Sequence, residues 1–262
     1  MKLPASSLIF TNPHERDKFI EFFEEGHIYN VKGDTSYVSV TTFVHTFFET
    51  FEPDVVIKNM KNSSKWNSQN QYFNMTDDEI KQKWLDNGES ASTLGTLLHL
   101  FIEHYYNKWD LPSADIPDEY NRLFKPYDDI TKKRGWIPYR SEWCVYDEPR
   151  KLSGSIDMIY QTSEDDTKNL IIVDWKRCKK LPDTGFKHGK QPLSLIPDCK
   201  FWQYTMQLNM YRWILETHYD KKILKMYLVV LHPHQNKYIE KQVPIIKDEI
   251  LNMIETRETN LK

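Results

Sequence analysis

Hydrophobic and polar positions fall into distinct rhythms along the chain. From Leu152 to Lys180 the order LSGSIDMIYQTSEDDTKNLIIVDWKRCKK predicts two strands joined by a polar turn. In the first, Ser155 to Tyr160, the residues Ile156, Met158 and Tyr160 alternate with Ser155, Asp157 and Ile159. The second, Leu170 to Val173, is an unbroken apolar run, as expected of a central strand covered on both faces. Arg140 to Tyr146 predicts a strand before this hairpin. Leu224 to Leu231 and Lys237 to Val243 predict two after it, around the turn His232-Pro233-His234-Gln235.

Helical spacing governs other stretches. Leu94, Leu97, Leu98, Phe101, Ile102 and Tyr105 place one apolar face on a helix from about Ser92 to Asn107. Thr76-Asp77-Asp78-Glu79 forms a capping box for a preceding helix that Gly88 should end. Pro117 to Arg134 predicts a helix bent at Pro126, Asp198 to Tyr219 an amphipathic one, and the chain closes with a helix from about Asp248. Near the start, HERDKFIEFFEE reads as a short amphipathic helix. The following HIYNVKGDTSYVSVTTFVHTFF reads as a hairpin turning at Lys32-Gly33-Asp34, then a strand leading into a helix capped at Ser39 or Thr41. Asn59 to Asn74 is polar, without periodicity, and reads as a loop. The fold class that follows is α/β, a mixed central β-sheet flanked by helices on both faces. The expected organisation is a single domain over 1–262. Residues 1–90 form an N-terminal extension of hairpin and helices packed on a 91–262 core.

The chemistry gathers on the central hairpin. Asp157 interrupts its first strand and Asp174 ends its second, with Lys176 on the same strand face as Asp174 because side chains alternate. The bland alternative is a solvated salt bridge on a surface hairpin, but the apolar Ile171, Ile172 and Val173 argue against it and for a central strand. Buried carboxylates require partners or a metal. Hydrolysis assisted by a divalent cation uses all three groups.

Asp157 followed by Asp174-Trp175-Lys176 resembles the signature of the PD-(D/E)XK nuclease superfamily. Its surroundings resemble the RecB-type and lambda-exonuclease-like branch: Gly154 before the first Asp, Glu142 on the preceding strand, His99 on an upstream helix, and Gln207 with Tyr211 on the following helix. Gly95-Thr96 before His99 and Glu103 after it match the pattern GT-x-x-H-x-x-x-E, and Tyr37 to Thr42 resembles an SVT element near the start of such exonucleases. The resemblance spans roughly Leu94 to Tyr211. It implies a restriction-endonuclease-like core and an exonuclease acting at single-stranded or duplex DNA ends in recombination, repair or replication. A structure-specific endonuclease, or a DNA-binding scaffold that keeps the fold, is the alternative.

The resemblance also implies residue roles. Asp157, Asp174, the backbone carbonyl near Trp175, and His99 would hold one or two Mg²⁺ or Mn²⁺ ions. Glu142 would complete that shell or lie just outside it. Lys176 would position or deprotonate the attacking water, or stabilise the transition state. Gln207 and Tyr211, on one helix face, would contact Lys176 or the nucleic-acid backbone, and Glu103 would orient His99. Arg177, Lys179 and Lys180 would contact phosphates, while Trp175, Phe201, Trp202 and Tyr204 are candidates for stacking on unpaired bases. A recombinase or a single-strand-binding protein is an expected partner.

Composition adjusts this picture little. The charge of −3 neither supports nor excludes DNA, since basic residues such as Lys187 and Lys190 also follow the acidic hairpin. Cys144, Cys178 and Cys199 are too few for a four-cysteine iron–sulfur cluster or a disulfide framework, so a reducing compartment is expected. No run approaches the ~18 apolar residues of a membrane span. With an acidic N-terminal region, the expected location is intracellular, in cytoplasm or nucleus.

Overall fold

The computed structural model describes Pro4 and residues 6–261. A short helix α1 (Leu8–Thr11) precedes strands β1 (Ile20–Phe23) and β2 (Ile28–Val31), which pair antiparallel. Of the helix expected over HERDKFIEFFEE only a 3-10 turn at Asp17–Phe19 forms, and Ile20–Phe23 is a strand. Ile20, packed with Tyr29 and Val31, outweighs the weak local helical pattern, and Gly26 turns the chain at φ +81°. The hairpin accordingly turns at Glu24 to His27. Lys32-Gly33-Asp34 closes only a tight turn between Val31 and Asp34.

Next come β3 (Val38–Ser39) and α2 (Val40–His45), whose N-cap Ser39 accepts a hydrogen bond from Thr42 N–H at 3.0 Å, as the sequence predicts. Helix α3 (Pro53–Lys61) occupies the start of the stretch expected to be loop. Helix α4 (Asp77–Asn107) begins at the expected capping box, with Thr76 N–H donating to Glu79 at 2.7 Å. It runs unbroken through Gly88, so that glycine does not end it. A lone glycine costs only about 1 kcal/mol in a helix, too little to stop 31 residues. Helix α5 (Lys125–Lys133) carries Pro126 in its first turn, where a missing N–H is harmless. The irregularity expected there lies earlier, as a π-turn at Tyr120–Phe124.

The remaining elements are β4 (Ile137–Asp147), β5 (Leu152–Gln161), β6 (Asn169–Lys176), α6 (Lys200–His218), β7 (Lys222–Val230), β8 (Ile239–Val243) and α7 (Asp248–Asn260). Strands β3 to β8 form one mixed sheet in the order β3-β5-β6-β7-β8, with β4 on the remaining edge of β5. The β6–β7 pair is parallel, which requires a crossover, and α6 supplies it. Helices cover both faces. Leu170 and Ile172 share a core with Met206, Met210 and Ile214 of α6, whereas Trp175 meets Phe124 and Tyr127 at ring centroids of 5.7 and 5.5 Å. No helix among the described residues is long and apolar enough to cross a membrane.

The pairing of β5 has one feature that positions the site. β4 runs along its whole length, from Leu152 to Gln161, so β3 and β6 must share the opposite edge. β3 takes Leu152 and Ser153, while β6 takes Met158 to Gln161. Gly154 to Asp157 are left between them.

The chain divides into two compact units, one of residues up to Glu49 with those from Leu98 onward, the other Thr50–Leu97. Within the second, Trp84 Nε1 donates to Tyr72 Oη at 3.0 Å, Phe51 packs edge-on against the same indole, and Lys81 pairs with Asp54 at 2.6 Å.

Gly154 is required by a close approach. A Cβ there would lie 2.7 Å from both the ring and the hydroxyl of Tyr211, itself buried in the core. Gly154→Ala should therefore destabilise the protein by about 1–3 kcal/mol in chemical denaturation. In a Tyr211→Leu background the same change should cost clearly less, and equal costs in both backgrounds would show that the contact is not tight.

Candidate metal centre

Asp157 stands at the end of the unpaired stretch of β5, where β6 diverges. Its Oδ2 accepts the Trp175 backbone N–H at 2.8 Å, serving a donor that the ladder no longer satisfies. His99, on α4, places Nε2 3.1 Å from the Trp175 carbonyl. A carbonyl oxygen can only accept, so Nε2 carries the proton and Nδ1 is the free nitrogen of the neutral ring. That Nδ1 lies 3.7 Å from Glu142 Oε1 and 3.7 Å from Asp157 Oδ2. One donor atom from each of His99, Glu142 and Asp157 lies within 4.8 Å of the others.

Glu142 reaches this position through a strained backbone. Its φ is +42°, a left-handed conformation unusual for a residue with a Cβ, and it falls in the strand opposite Asp157. Ser155 Oγ fixes the side chain by donating to Oε2 at 2.8 Å.

An imidazole lone pair facing two carboxylates is repulsive unless a positive charge lies between them. Burial alone would lower the His99 pKa, but the charges of Asp157 and Glu142 outweigh it and push it up to about 9. Burial, followed by repulsion from Asp174, pushes Asp157 up to about 7. The cluster thus holds one positive charge at Nδ1, either a proton or a metal ion in its place. One nitrogen and two carboxylate groups are donors suited to a divalent metal, so the three residues can hold a metal ion.

Beside the cluster, Asp174 Oδ2 lies 2.6 Å from Lys176 Nζ. Burial opposes the Lys176 charge, but Asp174 and Asp157 outweigh it and hold the ammonium above its ordinary pKa. Nζ also lies 4.4 Å from the centroid of the Tyr204 ring, a cation–π contact. Tyr204 thus lies against the site lysine. Its spacing of three residues from Gln207 and seven from Tyr211 on one helix face was the available signal. Gln207 Nε2 donates to Thr41 Oγ1 at 3.1 Å and to Tyr211 Oη at 3.3 Å, so these two residues tie α6 to α2 and, through Gly154, to β5.

Of the other expected site residues, Trp175 reaches the cluster through its backbone, and the rest lie apart from it. Trp175 is buried, its N–H and carbonyl both engaged at the cluster. Burial, then the charges of Glu142 and Glu24, push half-buried Glu103 up to about 7, and among the described residues it makes no hydrogen bond to His99. Arg177 turns inward to an ion pair with the buried Glu119, whereas Lys179 and Lys180 are exposed. The three cysteines are free thiols.

No family model and no curated protein matches the sequence. Among solved structures, the chain is similar to a protein called SSO0001, with 16% identity and a TM-score of 0.32, covering 87% of this chain and 76% of that one. It is also similar to a candidate exonuclease from Eubacterium rectale, with 12% identity and a TM-score of 0.36, covering 86% and 78% respectively. At these levels neither comparison bears on the chemistry of the site.

The strain at Glu142 can be measured. Glu142→Ala and Glu142→Gly remove the same carboxylate, but only glycine relaxes the left-handed backbone. The glycine variant should be more stable by about 1 kcal/mol in chemical denaturation. Equal stabilities would mean that the backbone at this position carries no strain.

Proposed function

We propose that this protein is a metal-dependent deoxyribonuclease that hydrolyses phosphodiester bonds at DNA ends, as an exonuclease of recombination, repair or replication. The observation that supports it most is the convergence of His99, Glu142 and Asp157 beside the Asp174–Lys176 pair, where β6 parts from β5. The five-part pattern from His99 to Tyr211 that resembles RecB-type and lambda-exonuclease-like nucleases supplies the substrate class.

His99, Glu142 and Asp157 would hold Mg²⁺ or Mn²⁺, with Asp174 linking that group to the ammonium of Lys176. A bound divalent ion would acidify water and polarise the phosphate. Lys176, in contact with both the Asp174 carboxylate and the Tyr204 ring, would present a positive charge to the phosphate oxygens as negative charge accumulates on them. Gln207 and Tyr211 would act at one remove, holding α6 and hence Tyr204 in place. Lys179 and Lys180 would meet the backbone of the incoming strand. Arg177, engaged by Glu119, would instead brace the start of the loop after β6.

Linear and circular DNA, each single- and double-stranded, incubated with Mg²⁺, Mn²⁺ or EDTA, tests the proposal. Linear DNA alone should be degraded, only with metal, and Lys176→Ala should reduce the rate by roughly a hundredfold to a thousandfold. Cleavage of circles would indicate an endonuclease, and a parallel RNA substrate tests the sugar preference. Intact DNA under every metal would overturn the proposal.

A further inference from the structure

A cavity of about 480 Å³ opens between α2, the loop at Lys190 and Gln191, and the end of α7. Its apolar part is formed by Val38, Phe43 and Phe47, and both phenylalanines are almost fully buried. Its polar part carries Lys190 and Arg257, and no acidic residue lines it. That composition is unusual in a chain with 38 Asp and Glu against 35 Lys and Arg.

Arg257 is the informative residue. It is half-buried, and its Nε donates to the Arg150 carbonyl at 3.0 Å, which fixes the plane of the guanidinium. The neighbouring acid Glu258 is taken by Arg150, at 2.5 Å. Among the described residues no carboxylate pairs with Arg257, and burial alone acts on its pKa, lowering it. Its terminal nitrogens make no hydrogen bond among the described residues. Among the described residues no carboxylate pairs with Lys190 either, and its backbone N–H donates to the Phe47 carbonyl at 2.7 Å. Two cations thus line one cavity beside an apolar patch, a fork and a point charge that together suit a dianion.

We infer that this cavity binds an organic phosphate monoester, its phosphate against Arg257 and Lys190 and its apolar body against Val38 and the exposed edges of Phe43 and Phe47. The site is separate from the residues of the metal centre, and the inference does not depend on nuclease activity.

Phenyl phosphate is the simplest probe, titrated calorimetrically into the full chain with EDTA present so that the metal centre does not contribute. Saturable binding is expected, with phenol and inorganic phosphate each binding more weakly. Arg257→Gln and Lys190→Gln should each weaken it by about tenfold or more, while Lys176→Ala should leave it unchanged. Lys190 is exposed, so its variant decides the matter if Arg257→Gln lowers the melting temperature. Absence of saturable binding, or binding indifferent to both substitutions, would overturn the inference. Loss of binding in Lys176→Ala would do the same, by moving the ligand to the metal centre, whereas failure of DNA hydrolysis would leave it untouched.

Discussion

The hydrogen bond between the Trp175 N–H and the Asp157 carboxylate is the interaction on which the candidate centre depends. Two strands share one edge of β5, and neither covers the middle of it. An unpaired backbone donor in so buried a region would cost about 1–3 kcal/mol. A carboxylate that answers it is held in place by the sheet itself. Once Asp157 is fixed, Glu142 opposite and His99 above are close enough that their charges must be balanced. The polar chemistry thus follows from an irregularity in strand pairing, not from an independent pocket.

The helical layer over this edge adds rigidity. Tyr211 fills the space that a side chain at Gly154 would occupy, and Gln207 bonds both Tyr211 and Thr41. The same helix carries Tyr204 to the Lys176 ammonium. On the other face, Trp175 is packed among Phe124 and Tyr127, so the peptide that serves both Asp157 and His99 has little freedom to move. The ammonium and the candidate metal ligands are held by side chains whose rotamers are set by packing on both layers of the fold.

Much of this was legible in the sequence because local and tertiary preferences agree. The unbroken run Leu170 to Val173 marks a doubly covered strand, the Thr76–Glu79 box marks the start of α4, and Ser39 caps α2 as its residue type suggests. The disagreements have physical causes. Ile20 to Phe23 carries a spacing that suits a helix or a strand, and pairing with Ile28 to Val31 decides it. Gly88 weakens a helix without ending it, and the irregularity before α5 falls at Tyr120 to Phe124 instead of at Pro126. For the candidate centre, the residue types were readable but not their partners. Nothing local signals the positive φ of Glu142, the inward turn of Arg177 to Glu119, or which aromatic of α6 meets Lys176. Those depend on strand register and on which charges are buried together.

Assembly of the centre is also a question of chain order. His99 and Trp175 are 76 residues apart, and Thr41 and Gln207 are 166 apart. Closing such loops is entropically slow, and the contacts that reward it are formed only when the sheet and both helical layers are in place. A partly folded chain would carry its carboxylates separated and solvated, without the convergence that holds a positive charge. The capacity to gather a divalent ion would therefore arise late in folding, in step with completion of the native structure, so incomplete chains would remain chemically inert.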